Sequence, residues 1–99
     1  MNIPDKVKIG GLAYEVSTSD TLMRDNEASG NSCGNTQSIM IDQTVSKQLQ
    51  ETTFLHEVIH QISFVYNLKF DEHTTALLEA GLYAFIMDNP AVFSGNKDS

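Results

Sequence analysis

Two histidines and a glutamate lie close together in the sequence, at positions that suit metal chemistry. His56 and His60 are four residues apart, so on a helix their imidazoles project from the same side, one turn apart. Imidazole nitrogen is a common zinc ligand, and two histidines at this spacing can reach one ion. Glu57 follows His56, and a carboxylate beside a zinc-bound water can accept its proton. The spacing therefore predicts a Zn²⁺ site with Glu57 as general base.

A helix must position these three residues, and the sequence predicts one from about Ser46 to Asn67. Its apolar residues repeat at the three-and-four spacing of one buried face: Leu55, Val58, Ile59, Ile62, Val65 and Tyr66. Ser46 is the predicted N-cap, because its hydroxyl can accept from backbone N–H groups of the first turn. The alternative is that His56 and His60 are ordinary surface histidines. That alternative must explain why two of only three histidines in the chain bracket a glutamate on this segment.

A second helix is predicted after a short break, with Asp71 as its N-cap and its end near Asp88. Pro90 cannot continue it, because proline has no backbone N–H to donate. The face expected to pack on the rest of the molecule includes Leu78, Leu82, Phe85 and Ile86.

The first part of the chain predicts strands. Alternating apolar residues on either side of Gly10-Gly11 indicate a β-hairpin: Val7 and Ile9, then Leu12, Tyr14 and Val16. Residues 19–35 are rich in Ser, Asp, Asn and Gly and predict a long loop. The run from Ser38 to Asp42 predicts a third strand. The expected fold class is thus α+β, a hairpin and a third strand forming a small sheet packed on two helices.

Size, charge and cysteine content limit the possible functions. The 99 residues, 40% of them apolar, suit one domain over 1–99, and residues from about 91 onward predict a flexible tail. A net charge of −7 argues against a nucleic-acid partner. We find no secretory signal pattern and no apolar run of ~18 residues, so we expect a cytoplasmic protein without a membrane span. Cys33 is the only cysteine and is expected to be an incidental loop thiol.

The segment Thr53-Phe54-Leu55-His56-Glu57-Val58-Ile59-His60-Gln61-Ile62 resembles the extended signature of the zincin metallopeptidases. Because no Gly and His continue the motif as in metzincins, the resemblance implies the gluzincin arrangement, in which a glutamate of the next helix is the third zinc ligand. Glu72 is the first choice, His73 the second and Glu79 the third.

Other parts of the chain add to the resemblance. Glu72, Thr75, Leu78 and Leu82 are similar to the glutamate-containing helix of repressor-cleaving peptidases of mobile elements, although Thr75 stands where those proteins usually have alanine. The chain's size and element order are similar to those of small minigluzincin-type proteins of phages and prophages.

The resemblance implies a zinc-dependent hydrolase that cleaves peptide bonds in a peptide or protein substrate. It also implies that the strand before the motif helix, Ser38 to Ile41, forms the edge along which the substrate lies. Tyr66 or Tyr83 would supply an oxyanion-stabilising phenol, although burial is the simpler interpretation of Tyr66. Two alternatives stay open: a catalytically silent binding or regulatory module with the same fold, and a structural zinc with Cys33 as an added ligand.

Overall fold

The computed structural model describes residues 1–93 and confirms the α+β class. Its four strands form one mixed sheet, in the order β1-β2-β4-β3. In chain order the elements are β1 (Lys6–Ile9), β2 (Leu12–Ser19), α1 (Leu22–Asn26), β3 (Gly30–Cys33), β4 (Ser38–Asp42), α2 (Lys47–Tyr66), α3 (Glu72–Asp88) and α4 (Pro90–Phe93).

The predicted hairpin is confirmed as β1 and β2, joined by Gly10 and Gly11. Ile9 pairs with Leu12 across the turn, and both glycines have positive φ, 58° and 82°. A two-residue type I′ turn requires this conformation, which glycine adopts without strain. Gly10 is needed for a second reason, since a Cβ there would lie 2.6 Å from Cγ1 of Val65 on α2.

The prediction of a continuous loop over residues 19–35 was wrong, because this segment contains α1 and β3. β3 has no apolar alternation that would reveal it, and its strand conformation depends on antiparallel pairing with β4, from Gly30 opposite Ile41 to Cys33 opposite Ser38. β2 pairs with the other side of β4 in parallel. The strand expected at the edge is therefore internal, and β3 is the edge strand beside it.

The core lies between the sheet and α2. Its buried members come from the sheet: Ile9, Tyr14, Ile39 and Ile41. α2 covers them with Phe54, Val58, Ile62 and Val65, so three of the six residues predicted for its apolar face pack on this cluster. Ile59 is buried outside the cluster, and Leu55 is half-buried beside Ile86 of α3. Tyr66 is 60% exposed at the end of α2 and lies against the Gly10 turn.

Polar caps set the bounds of the two long helices close to where the sequence predicts them. Ser46 Oγ accepts from the backbone N–H of Leu49 at 3.1 Å, and Asp71 Oδ1 accepts from that of Thr74 at 2.8 Å. Between the helices, Asn67 takes the left-handed conformation with φ 55°. Ser63 Oγ then accepts from Phe70 N at 2.9 Å, which holds the connection against α2.

α3 packs differently from the prediction. Within Glu72–Asp88 the buried residue is Thr75, whereas Leu78, Leu82 and Phe85 are 36–48% exposed. The reason is that polar residues face α2 along most of α3, as described below. Ile86 near its end is half-buried and lines an apolar groove with Phe54, Leu55 and Val58 of α2. Pro90 ends α3 as predicted but begins α4, so residues 91–93 are helical. The rest of the predicted tail, residues 94–99, lies outside the described residues. Among the helices of residues 1–93, none has the length and apolar character to cross a membrane.

Candidate metal centre

α2 carries two rows of polar side chains on neighbouring sides. His56 and His60, one turn apart, form the row that faces α3. Glu57 and Gln61, also one turn apart, form the row that faces β3. Residues four apart share a helix face, and each residue of the second row follows one of the first in sequence, so the two rows lie side by side. α2 therefore presents its imidazoles to α3 and its carboxylate and amide to β3.

Two imidazoles and one carboxylate converge between α2 and α3. Glu72 Oε1 lies 2.6 Å from His60 Nε2 and 3.3 Å from His56 Nε2. The three donor atoms lie within 4.8 Å of one another and form a group able to hold a metal ion. Asp71 caps α3 at the residue before Glu72, which fixes the start of the helix and places Glu72 opposite His60. The structure thus brings together the three residues predicted as ligands.

The donor types suit zinc, and one of the two donor separations matches that of a zinc site. Zn–N and Zn–O bonds of about 2.0–2.1 Å in a tetrahedron place neighbouring ligand atoms about 3.3 Å apart. The 3.3 Å separation of His56 Nε2 and Glu72 Oε1 matches this value. The 2.6 Å contact of Glu72 with His60 is a hydrogen-bond distance, and a rotamer adjustment of Glu72, whose side chain is 69% exposed, can open it. A zinc ion held by these three residues would have room for one further ligand, as catalytic zinc sites do.

Glu79, ranked third as a ligand, contacts the opposite side of the His56 ring. Its Oε1 lies 2.9 Å from Nδ1 of His56, whereas Nε2 points to Glu72. When a metal ion binds at Nε2 of a histidine, the ring proton is on Nδ1, and the Nδ1–H group can donate to a carboxylate. This arrangement is common around zinc-binding histidines. The position of Glu79 therefore fits an orienting role and not that of a ligand.

Glu57 is held on the β3 side of the same cleft. Its Oε1 accepts a hydrogen bond of 2.6 Å from the Ser32 hydroxyl, and the residue is only 7% exposed. Ser32 also accepts from Gln61 Nε2 at 2.8 Å. The predicted general base is thus fixed in orientation by two residues that the sequence did not single out.

The cleft between β3 and the helices has a volume of about 780 Å³. Residues of β3 and the loop around it form one wall, and α2 with the start of α3 forms the other. The side chains from the predicted site that line it are His56, Glu57, His60, Glu72 and Glu79. The arrangement brings a group able to hold an ion, a buried carboxylate and an edge strand to one cleft.

The remaining candidates lie elsewhere. Among the described residues, the cleft lining does not include His73 or Cys33, and both are exposed. Tyr66 and Tyr83 do not line the cleft. Tyr83 donates instead to Glu51 Oε1 at 3.0 Å, and burial together with this contact raises the pKa of the phenol above its usual 10.0. The geometry gives Cys33 no place as a fourth ligand and neither Tyr66 nor Tyr83 a place at the candidate metal centre.

Sequence reasoning missed Ser32 and Gln61, and only one of them left a signal. Gln61 lies four residues after Glu57, so the helix prediction already put both on one face. A buried polar residue on that face needs a hydrogen-bonding partner. Ser32 lies in a segment without periodicity, and its position depends on pairing with Ile39 in β4, which the sequence does not encode locally.

Comparison with known proteins adds no assignment: no protein-family model matches the chain, and no curated protein or solved structure matches it.

Proposed function

We propose that this chain is a zinc-dependent peptidase in which His56, His60 and Glu72 hold the metal and Glu57 is the general base. The observation that carries the proposal is the convergence of His56 Nε2, His60 Nε2 and Glu72 Oε1 in one cleft, on a group able to hold an ion. Its support comes from two separate parts of the chain, since the histidines belong to α2 and the glutamate to α3.

A zinc ion held by His56, His60 and Glu72 would supply Lewis acidity and lower the pKa of a bound water toward about 7. The residues of the chain supply the rest. Glu57 accepts the proton of the attacking water as a C–O bond forms at the substrate carbonyl carbon. The same carboxyl then gives that proton to the amide nitrogen as the C–N bond breaks. One water is consumed and the two peptide products carry all of its atoms.

The proposed substrate is an extended peptide. β3 is an edge strand, paired with β4 on one side, and its residues Gly30, Asn31 and Ser32 line the cleft. A peptide added to such an edge bonds through its main chain, which any sequence offers. We therefore propose that the substrate lies along β3 and not along β4, the strand expected from the sequence.

A binding or regulatory module without turnover is the second candidate. The apolar side chains that line the described part of the cleft are Leu49 and Phe64, which gives little apolar surface for selecting substrate side chains. A small cleft of this kind suits main-chain binding as well as cleavage. The two candidates share the metal site and differ in the role of Glu57.

A two-part experiment tests the proposal. Zinc per chain is measured for the wild type and for His56→Ala, where we expect about one ion and a strong loss of zinc, respectively. Cleavage of a denatured protein is then followed, with Glu57→Gln as the control that keeps size and removes the base. Zinc binding with activity lost in Glu57→Gln supports the peptidase. Zinc binding without any cleavage favours the module, and a wild type that binds no zinc contradicts both.

The prediction of a cytoplasmic location also belongs to this proposal. The single cysteine agrees with it, because the chain can form no internal disulfide and so gains nothing from an oxidising compartment.

A further inference from the structure

A chain of hydrogen bonds runs from the core to the general-base candidate. Tyr14, fully buried on β2, donates its hydroxyl to Gln61 Oε1 at 2.9 Å. Gln61 Nε2 donates to Ser32 Oγ at 2.8 Å, and Ser32 donates to Glu57 Oε1 at 2.6 Å. This series of hydrogen bonds thus runs from β2 to α2, then to β3, and back to α2.

The direction of each hydrogen bond follows from the one before it. Burial is the main cause that raises the pKa of Tyr14 above its usual 10.0. The phenol is therefore protonated at neutral pH and donates the hydrogen bond. The amide oxygen of Gln61 accepts this hydrogen bond, so the NH₂ group of the same side chain faces Ser32. An NH₂ group can only donate. The Ser32 oxygen therefore accepts, and its single hydrogen is left for Glu57.

We propose that Tyr14, Gln61 and Ser32 form a positioning relay that occupies Oε1 of Glu57 and leaves Oε2 to take the proton of the attacking water. The inference rests on the proposed peptidase function and names the atom that carries the proton. Glu57 is the catalytic residue in this scheme, and the other three act through it.

The surroundings of the relay give it rigidity. Gln61 and Glu57 are only 5% and 7% exposed, and a buried polar group that loses its partner is strongly penalised. Ser32 is fixed by the pairing of its strand, opposite the fully buried Ile39. Because Ser32 belongs to the edge strand, the relay also fixes the distance between Glu57 and the strand on which the peptide would lie.

Ser32→Ala tests the last link of the relay. A general base supplies about 10²–10⁴-fold in rate, and we expect loss of its orientation to lower kcat about 10–100-fold. KM and zinc content should change little, because the ligands remain. Ser32→Thr keeps a hydroxyl and should retain most of the activity. Ser38→Ala is the matched control, since it removes a hydroxyl that bonds to Thr36 in the adjacent strand, outside the cleft.

A second measurement needs no turnover. In the zinc-free protein, the side-chain NH₂ resonances of Gln61 should shift in both Tyr14→Phe and Ser32→Ala, because each variant removes one of its two partners. Resonances unchanged in both variants would overturn the relay. Full kcat in Ser32→Ala would overturn its role in catalysis while the peptidase stands. A zinc-bound wild type that cleaves nothing would instead remove the proposed function, and the catalytic part of this inference with it.

Discussion

His56 contacts a carboxylate on each of its two ring nitrogens. Glu72 lies at Nε2 and Glu79 at Nδ1, and the ring meets that of His60 edge to face, with centroids 4.6 Å apart. A ring held on three sides loses little further freedom when it binds an ion. The two carboxylates act differently, because only Glu72 also reaches His60.

We expect Glu79→Ala to weaken zinc binding about 10–100-fold, because His56 loses the acceptor that fixes its tautomer and ring orientation. Glu79→Gln keeps an oxygen in place and should weaken it less. Competition with a chromogenic chelator measures the affinity. His73→Ala is the control and should bind zinc like the wild type, since His73 does not line the cleft. A larger loss in His73→Ala than in Glu79→Ala would show that the roles assigned to these two residues are wrong.

At the scale of elements, the two long helices α2 and α3 were predictable from the sequence, whereas the short helix α1 and the strand β3 were not. The amphipathic spacing and the caps at Ser46 and Asp71 involve residues a few positions apart, so the local sequence is enough to predict these helices. The metal ligands on α2 followed from the same periodicity. β3 has no apolar alternation of its own and depends on pairing with β4, five to eleven residues away, and on a contact with Thr53 of α2, 23 residues from Gly30. Partners that come from β3, above all Ser32, were therefore not predictable.

The close approach of β3 to α2 depends on Gly30. A Cβ at this position would lie 2.5 Å from Thr53 Cγ2 and 3.0 Å from the Met40 carbonyl oxygen. We expect Gly30→Ala to push β3 from α2 and to lower the free energy of unfolding by about 1–3 kcal/mol. Chemical denaturation measures the change.

Gly81 on α3 provides the matched control, since nothing lies within 4 Å of an added Cβ there. Gly81→Ala should raise the free energy of unfolding by about 0.5–1 kcal/mol, because alanine loses less backbone freedom than glycine in a helix. Equal effects of the two substitutions would contradict the close β3–α2 packing.

Asp42, at the end of β4, links this strand to α1 and to the turn that follows the strand, and it makes the stability of the fold depend on pH. Its carboxylate accepts from the backbone N–H groups of Met23 and Thr44, each at 2.7 Å. These hydrogen bonds hold the pKa of Asp42 below its usual 3.8. A lowered pKa in the folded state means that the stabilisation is complete above about pH 4 and is lost as pH falls through the folded value.

We therefore expect Asp42→Asn to lower Tm at pH 7, because the amide presents an NH₂ group to donors that need an acceptor. The difference in Tm from the wild type should narrow as the pH falls below about 4. Thermal unfolding at pH 7 and pH 3 measures both. A difference that stays constant or widens toward pH 3 would contradict the role of the ionised carboxylate.

In the whole molecule, a row of polar contacts joins α3 to α2, and an apolar groove lies between the two helices at the C-terminal end of α3. Along α2 the contacts run in the reverse order of those on α3, from His60 with Glu72 to Glu51 with Tyr83. The apolar core lies on the other side of α2, under the sheet, and Thr75 is the buried residue of α3. Little apolar burial therefore holds this helix, and a metal bound by both helices would be a main tie between them.

Zinc removal should consequently loosen α3 more than the sheet. At free zinc of about 100 times Kd, binding to the folded state adds about 2.7 kcal/mol, which corresponds to a Tm increase of about 10 °C or more in a domain of this size. Amide exchange should show the accompanying gain in protection concentrated in α3, with smaller changes in β1, β2 and β4. His56→Ala should show neither effect when zinc is added. A zinc-dependent gain spread evenly over the sheet and α3 would mean that α3 is already firmly packed without the metal.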